Sequence, residues 1–160
     1  METPTMTHAP ADILDTLNAL LGAEESSIIR YVGPASPYLT RATAHLRQDI
    51  GDWIAGADRR EQELAELIDR LGGFPGPRVL QPEEQYMAYL SLRYLLPKLV
   101  DAQQQLLQRY QDALAHLHQQ HTPPEVLDLI QRLRDEHAGH LQTARTAVDQ
   151  VLNEPSSNPV

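Results

Sequence analysis

Residues 11–32 read ADILDTLNALLGAEESSIIRYV, and their apolar side chains recur every three to four positions. This is the period of an α-helix that buries one face. A carboxylate, Glu24, takes a position inside the apolar stripe, whose other members are Ile13, Leu17, Leu20/Leu21, Ile28 and Tyr31. The stretch therefore predicts a first helix, helix A, running from Ala11 to Val32 with an acidic residue among its core positions.

Three further segments show the same period and are separated by clusters of Pro and Gly. Helix B is predicted from Pro37 to Leu71, because Gly72-Gly73 is a typical helix stop. Helix C is predicted from Lys98 to Gln119, and helix D from Pro123-Pro124 to Leu152. Two-residue alternation is not sustained anywhere, so the pattern indicates an all-α protein.

The connection between helices B and C, residues 72–97, is too long for a tight turn. Its second half, from Glu83 to Leu96, is apolar enough to pack against other helices. The prediction is an up-down bundle of two antiparallel helix hairpins joined by a long crossover that contains a short helix. The helical domain is expected to span residues 11–152, with disordered ends at 1–10 and 153–160.

Composition narrows the classes of function. The chain has 160 residues, enough for one domain with a core, and its net charge of -9 disfavours nucleic-acid partners. It contains no cysteine, which excludes disulfides, thiolate metal sites and cysteine nucleophiles. No membrane-spanning run and no secretory signal is recognisable, so a cytoplasmic protein that does not enter membranes is expected.

Polar residues interrupt the apolar stripe near the middle of every predicted helix. Together with Glu24, the residues predicted to enter the core are Asp58 and Glu61 of helix B, Gln103 of helix C (Gln104 if the register slips by one), and His137 and His140 of helix D. In a bundle these six groups would meet in one layer, where charges must be paired, hydrogen-bonded or bound to metal. Carboxylate and imidazole ligands suit Fe, Mn or Zn.

The distribution of one, two, one and two polar core residues over helices A to D resembles that of the ferritin-like superfamily, which includes bacterioferritin and rubrerythrin. Residues 17–24, LNALLGAE, are similar to the Glu-bearing first helix of that family, and residues 64–75, LAELIDRLGGFP, to the end of its second helix. The resemblance implies a ferritin-like four-helix bundle. It also implies a di-iron or di-manganese centre held by Glu from two helices and Glu-x-x-His from the other two.

Glu24 matches the first-helix Glu of the family, but the other positions depart from its pattern. This chain has Asp58-x-x-Glu61 and His137-x-x-His140 where the family has Glu-x-x-His, and Gln103 where the family has Glu. Three carboxylates and two histidines remain as candidate ligands, which is enough for one divalent ion but a small set for two. The first hypothesis is therefore a divergent ferritin-like protein that binds one or two ions of Fe, Mn or Zn, with a redox role.

The alternative hypothesis is a polar layer that is ion-paired and binds no metal. The bundle would then be a non-enzymatic interaction or dimerisation module that uses the apolar crossover, and a homodimer is expected. Tyr110 is predicted to be a core aromatic residue whose hydroxyl needs a partner. The charged run 58–63 is predicted to point Arg59, Arg60 and Glu63 towards solvent.

Overall fold

The computed structural model describes residues 10–29, 46–77 and 92–153. Within these ranges the chain forms four α-helices and no strand. They are α1 (Ala11–Glu25), α2 (Arg47–Arg70), α3 (Leu92–His118) and α4 (Pro124–Asn153). The all-α prediction is confirmed. The expected disordered ends lie outside the described residues, apart from Pro10 and Asn153. Of the apolar half of the crossover, Glu83 to Leu96, only residues 92–96 are described, and they form the first part of α3.

The prediction that helix A continues unbroken to Val32 is wrong, because α1 ends at Glu25. The Ser26 hydroxyl donates to the Gly22 carbonyl oxygen at 2.9 Å, and the Ser27 backbone N–H donates to the Glu24 carbonyl oxygen at 3.2 Å. Serine competes in this way for helical hydrogen bonds and favours helix ends. The turn that ends α1 thus contains Ser26 and Ser27, a residue type that is less favourable in a helix interior than at its end.

The end of α2 is a Schellman motif, as the Gly72-Gly73 stop predicts. Gly72 has a φ of 83°, in the left-handed region that glycine adopts without a Cβ clash. The Gly73 N–H donates to the Ile68 carbonyl oxygen at 2.9 Å, and the Gly72 N–H donates to that of Asp69 at 3.0 Å. The predicted start of helix B at Pro37 lies outside the described residues.

The predicted start of helix C at Lys98 is wrong, because α3 begins at Leu92 and continues through Pro97. Proline removes one backbone hydrogen bond from a helix interior. Two leucines before the proline, Leu95 and Leu96, and one after it, Leu99, are buried in the bundle core. Their burial keeps the chain helical across the proline.

α1 is antiparallel to α2 and α3 is antiparallel to α4. The helices α2 and α3 run in the same direction, because their first turns pack in one apolar cluster (Trp53 with Leu95) and their last turns pack in the other (Leu67 with Leu117). The start of α1 lies beside the end of α2, where the Asn18 amide donates to the Phe74 carbonyl oxygen at 3.2 Å. The turn at residues 119–123 joins α3 to α4 and reverses the chain. None of the helices in the described ranges has the length and hydropathy that a bilayer crossing requires.

The bundle core consists of two apolar clusters with a polar layer between them. One cluster contains Leu17, Leu64 and Ile130, and the other contains Trp53 and Val151. Between the two clusters lie the buried polar or charged residues of the described chain, which are Glu24, Arg60 and His137. This layer is the candidate functional site.

Candidate functional site in the bundle core

Glu24 is the centre of the polar layer and is fully buried. Its Oε1 accepts hydrogen bonds from the Tyr110 hydroxyl at 2.6 Å and from Nε2 of His137 at 2.6 Å. Nε of Arg60 lies 3.1 Å from Oε1 and 3.2 Å from Oε2 of the same carboxylate. Donors from α2, α3 and α4 thus converge on one side chain of α1, and the structure identifies Glu24 as the partner that the Tyr110 hydroxyl needs.

These contacts decide the ionisation of Glu24. Burial by itself raises the pKa of this carboxyl, but His137, the charge of Arg60 and the Tyr110 hydrogen bond together bring the pKa below its ordinary value. Burial and the neighbouring Glu24 charge raise the pKa of the Tyr110 hydroxyl well above its ordinary value. At neutral pH Glu24 is therefore a carboxylate and Tyr110 a neutral donor.

Arg60 is the residue that sequence reasoning missed. The charge pattern predicts that it faces solvent, but its side chain is only 2% exposed. The buried positions of α2 show why, since they are Ile50, Trp53, Ala57, Arg60, Leu64, Leu67 and Ile68. Arg60 continues the three-and-four spacing of this stripe, so the helical period itself was the available signal.

The same register accounts for Asp58 and Glu61, for which the sequence predicts core positions. Asp58 is exposed and Glu61 is half-buried, because Ala57 and Arg60 occupy the core-facing positions of that turn. The structure therefore does not bring Asp58 into the polar layer. The sequence prediction places the stripe of helix B one residue too late along this turn.

The remaining predicted residues lie in or beside the layer. Gln103 contacts the His137 ring nitrogen Nδ1, and its amide donates to the His137 carbonyl oxygen at 3.3 Å. His140 is half-buried, and its ring centroid lies 6.2 Å from that of His137. Burial, followed by the charge of Arg60, lowers the pKa of His140 to about 4. The His140 ring is therefore neutral at physiological pH.

A partly exposed ion-pair network covers the layer on one side. Arg59 binds Glu136 through two hydrogen bonds, of 3.0 Å and 2.6 Å. Burial alone would raise the pKa of Glu136, but this pairing lowers it. Nη1 of Arg60 lies 3.7 Å from Oε2 of Glu136, and it is buried without a hydrogen-bond partner. Arg60 thus uses Nε on Glu24 and keeps one unsatisfied donor.

A small cavity of about 20 Å³ adjoins the polar layer. Its polar lining includes Arg60, Gln103 and His140. The apolar lining comes from α2, α3, α4 and the turn after α1, and includes Ile28, Ile29, Trp53, Leu99 and Ala144. A single water needs roughly 10–15 Å³ of such space. The cavity therefore has room for an ordered water or for a ligand of a few atoms.

The donor set does not fit the metal centre that the resemblance implies. Both oxygens of Glu24 are engaged by the Arg60 guanidinium, and Nε2 of His137 is engaged by Glu24. In the part of the chain that the structure describes, no three His, Asp or Glu side chains are grouped so that they could hold a metal ion. The Glu24 carboxylate is therefore ion-paired with Arg60 and hydrogen-bonded to His137, and neither side chain is available as a free metal ligand in this arrangement.

The packing of Arg60 predicts that alanine substitutions at two glycines of α2, Gly51 and Gly56, have different effects on the free energy of unfolding. A Cβ at Gly56 would lie 2.9 Å from Nη1 of Arg60 and 3.6 Å from Cε1 of His140, whereas a Cβ at Gly51 would meet nothing within 4 Å. We expect Gly51→Ala to stabilise the protein by about 0.5–1 kcal/mol through helix propensity. Gly56→Ala should lose that gain, because it displaces a guanidinium held by Glu24. Chemical denaturation measures both, and equal gains would contradict the placement of Arg60.

Comparison with known proteins bears on the fold. No protein-family model and no curated protein matches the sequence. The structure is similar to a crystal structure described as "ferritin like, diiron-carboxylate proteins" from Bacillus anthracis str. Ames, with a TM-score of 0.69 and 20% sequence identity. The alignment covers 86% of this chain and 96% of that chain. The chain therefore has the ferritin-like four-helix fold that its sequence predicts.

Proposed function

We propose that this chain is a metal-independent binding protein of ferritin-like fold, in which the Arg60 guanidinium balances the core carboxylate. The observation that carries the proposal is the contact of Arg60 Nε with both oxygens of Glu24, inside a core where Arg60 is 2% exposed and Glu24 is fully buried. The binding site in this proposal is the cavity that Arg60 and His140 line.

The electrostatics of the layer support a fixed organic cation. A buried carboxylate needs a compensating charge, which a metal ion or a guanidinium can supply. In this chain the compensating charge is covalently part of α2, and a divalent ion entering beside Glu24 would meet the positive charge of Arg60. The ion would have to displace Arg60, which would then be a buried charge without its partner.

Metal binding is the second candidate function. The similar crystal structure carries the words diiron-carboxylate in its description, and three of the residues predicted as ligands for Fe, Mn or Zn (Glu24, Gln103 and His137) do lie together. A neutral His140 ring beside them is also a suitable ligand in its protonation state. A redox role belongs to this candidate and needs a bound metal.

Metal content distinguishes the two candidates. The full chain would be purified without chelator or affinity metal, and Fe, Mn and Zn measured by plasma mass spectrometry before and after incubation with each ion. We expect only trace metal in the wild type and no change in the His137→Ala/His140→Ala variant. A stoichiometric amount of one ion in the wild type, lost in that variant, would overturn the metal-independent proposal.

The homodimer and the cytoplasmic location expected from the sequence belong to this proposal too. Two large side chains outside the core support association, since Phe74 is 86% exposed and Tyr94 is 56% exposed. Exposed aromatic residues are common where proteins associate. Of the crossover residues first expected to cover the bundle or form a dimer surface, Tyr86 to Leu96, the structure describes only residues 92–96, in which Leu95 and Leu96 are buried in the core.

A further inference from the structure

We propose that a groove between α1 and α3 binds a single-chain carboxylate of about eight carbon atoms. This inference goes beyond the proposed function, because the groove is lined by exposed residues of the two helices, such as Gly22 and Arg109, and not by the core layer. The groove has a volume of about 440 Å³. Sites that bind small organic molecules typically have about 300–1,000 Å³, so its size suits such a ligand.

The groove is open because one of its walls carries small side chains. Ala19, Gly22 and Ala23 line it at the spacing of three and four residues that places them on one side of α1. A Cβ at Gly22 would meet nothing within 4 Å, so this position faces open space. On the α3 side, Leu106 lines the same groove and is itself buried. These walls leave room for a ligand that is partly apolar.

Arg109 supplies a positive charge to the groove. Its side chain is exposed, and in the part of the chain that the structure describes it makes no ion pair or hydrogen bond. Gln105 lies one turn earlier on the same side of α3 and also lines the groove. A guanidinium pairs well with a carboxylate, and the amide can donate to the same anion. By contrast, the following arginines already have carboxylate partners: Arg59, Arg60, Arg70, Arg132 and Arg134.

The opposite end of the groove is apolar. α1 and α3 are antiparallel, because Asp12 at the start of α1 contacts His116 near the end of α3 at 3.0 Å. Ile28 therefore lies at the same end of the groove as Ala102. Ala102 and Arg109 are two helical turns apart, about 10 Å along α3, which an extended chain of about eight carbons covers. A ligand with its carboxylate at Arg109 and its chain towards Ile28 matches this charge and length.

The test compares three compounds on the full wild-type chain in a buffer free of carboxylates. Octanoate would be titrated beside octanamide, which has the same chain without the charge, and acetate, which has the charge without the chain. The NMR signals of the Gly22 backbone N–H and of the Gln105 side-chain amide report binding in the groove. We expect octanoate to bind about threefold or more tightly than octanamide, because the ion pair is exposed. It should bind at least about tenfold more tightly than acetate, because acetate buries no methylene groups.

Arg109→Gln tests the charged end of the groove. This variant should bind octanoate and octanamide with equal affinity, because it lacks the charge that distinguishes them. Arg145→Gln is the matched control, since Arg145 is an exposed arginine of α4 that donates to the Gln104 side chain. The control should keep the wild-type preference for octanoate. Both substitutions are on the surface, and circular dichroism would show that both variants remain folded.

Gly22→Phe tests the open part of the groove. The Cβ at this position meets no other atom within 4 Å, so the phenyl ring can occupy the groove without disturbing the core. Octanoate affinity should fall about tenfold or more. Gly139→Phe is the matched control, because Gly139 is a helical glycine of α4 with equally open space around its Cβ. Phenylalanine is more favourable than glycine in a helix, so neither variant should be less stable than the wild type.

The outcomes decide each part of this inference. Equal affinity of the wild type for octanoate and octanamide would overturn the carboxylate assignment. Octanoate binding that is unchanged in Gly22→Phe would overturn the location in the groove, and absence of octanoate binding would overturn both. The metal content of the core is a separate measurement, so none of these results decides the proposed function.

Discussion

Replacing Arg60 with methionine is expected to lower the free energy of unfolding by about 3–5 kcal/mol. The substitution keeps an elongated side chain in the core but removes the charge that compensates Glu24. Glu24 is fully buried and would keep only the Tyr110 and His137 hydrogen bonds. A buried ion deprived of its partner is one of the most destabilising changes in a protein interior, because its desolvation is no longer offset.

Arg59→Met is the matched control for this prediction. Arg59 is the preceding residue, it also pairs with a carboxylate, and its side chain is 47% exposed. Solvent screens such a pair, so its removal should cost only about 0–1 kcal/mol. Both variants would be unfolded in urea, and their free energies of unfolding compared with that of the wild type. The comparison is valid when the dependence of the free energy on urea concentration is the same in all three proteins. Similar losses in the two variants would mean that Arg60 is not a buried counter-charge.

Much of the fold could be predicted from the sequence, because apolar residues recur every three to four positions in each helical segment. The stripe of α1 from Ile13 to Glu24 is buried as predicted, and so is the α4 stripe from Val126 to His137. Gly72 ends α2 through its backbone conformation, which a Gly-Gly pair after a helical run typically indicates. These features depend on local spacing and backbone conformation, which a single sequence contains.

The candidate site was harder to predict, because a charged residue in a stripe is ambiguous. Along α2 one register of the stripe contains Asp58 and Glu61, the register one residue earlier contains Arg60, and burial of a charge is costly in either register without a partner. The partner therefore decides which one is buried, and Arg60 meets Glu24 of α1, a contact between residues far apart in the chain. The predicted start of helix C was wrong for a related reason, because burial of the leucines around Pro97 outweighs the tendency of proline to end a helix.

The double variant Glu24→Gln/Arg60→Met is expected to be more stable than Arg60→Met alone, by about 2 kcal/mol or more. The glutamine introduced at this position carries no charge to be compensated. Its side-chain oxygen can still accept from the Tyr110 hydroxyl and from Nε2 of His137, the two contacts that Glu24 makes at 2.6 Å. The two substitutions should therefore be strongly non-additive in a double-mutant cycle.

The pH dependence of stability gives this cycle a second readout. Because the pKa of Glu24 in the folded protein is below its ordinary value of 4.5, its contribution is present above that value. It is lost as the pH falls through the lowered folded pKa. A glutamine side chain does not titrate, so Glu24→Gln and the double variant should lack this part of the acid-induced loss. Additive losses, with an unchanged acid profile, would show that Glu24 and Arg60 do not compensate each other in the core.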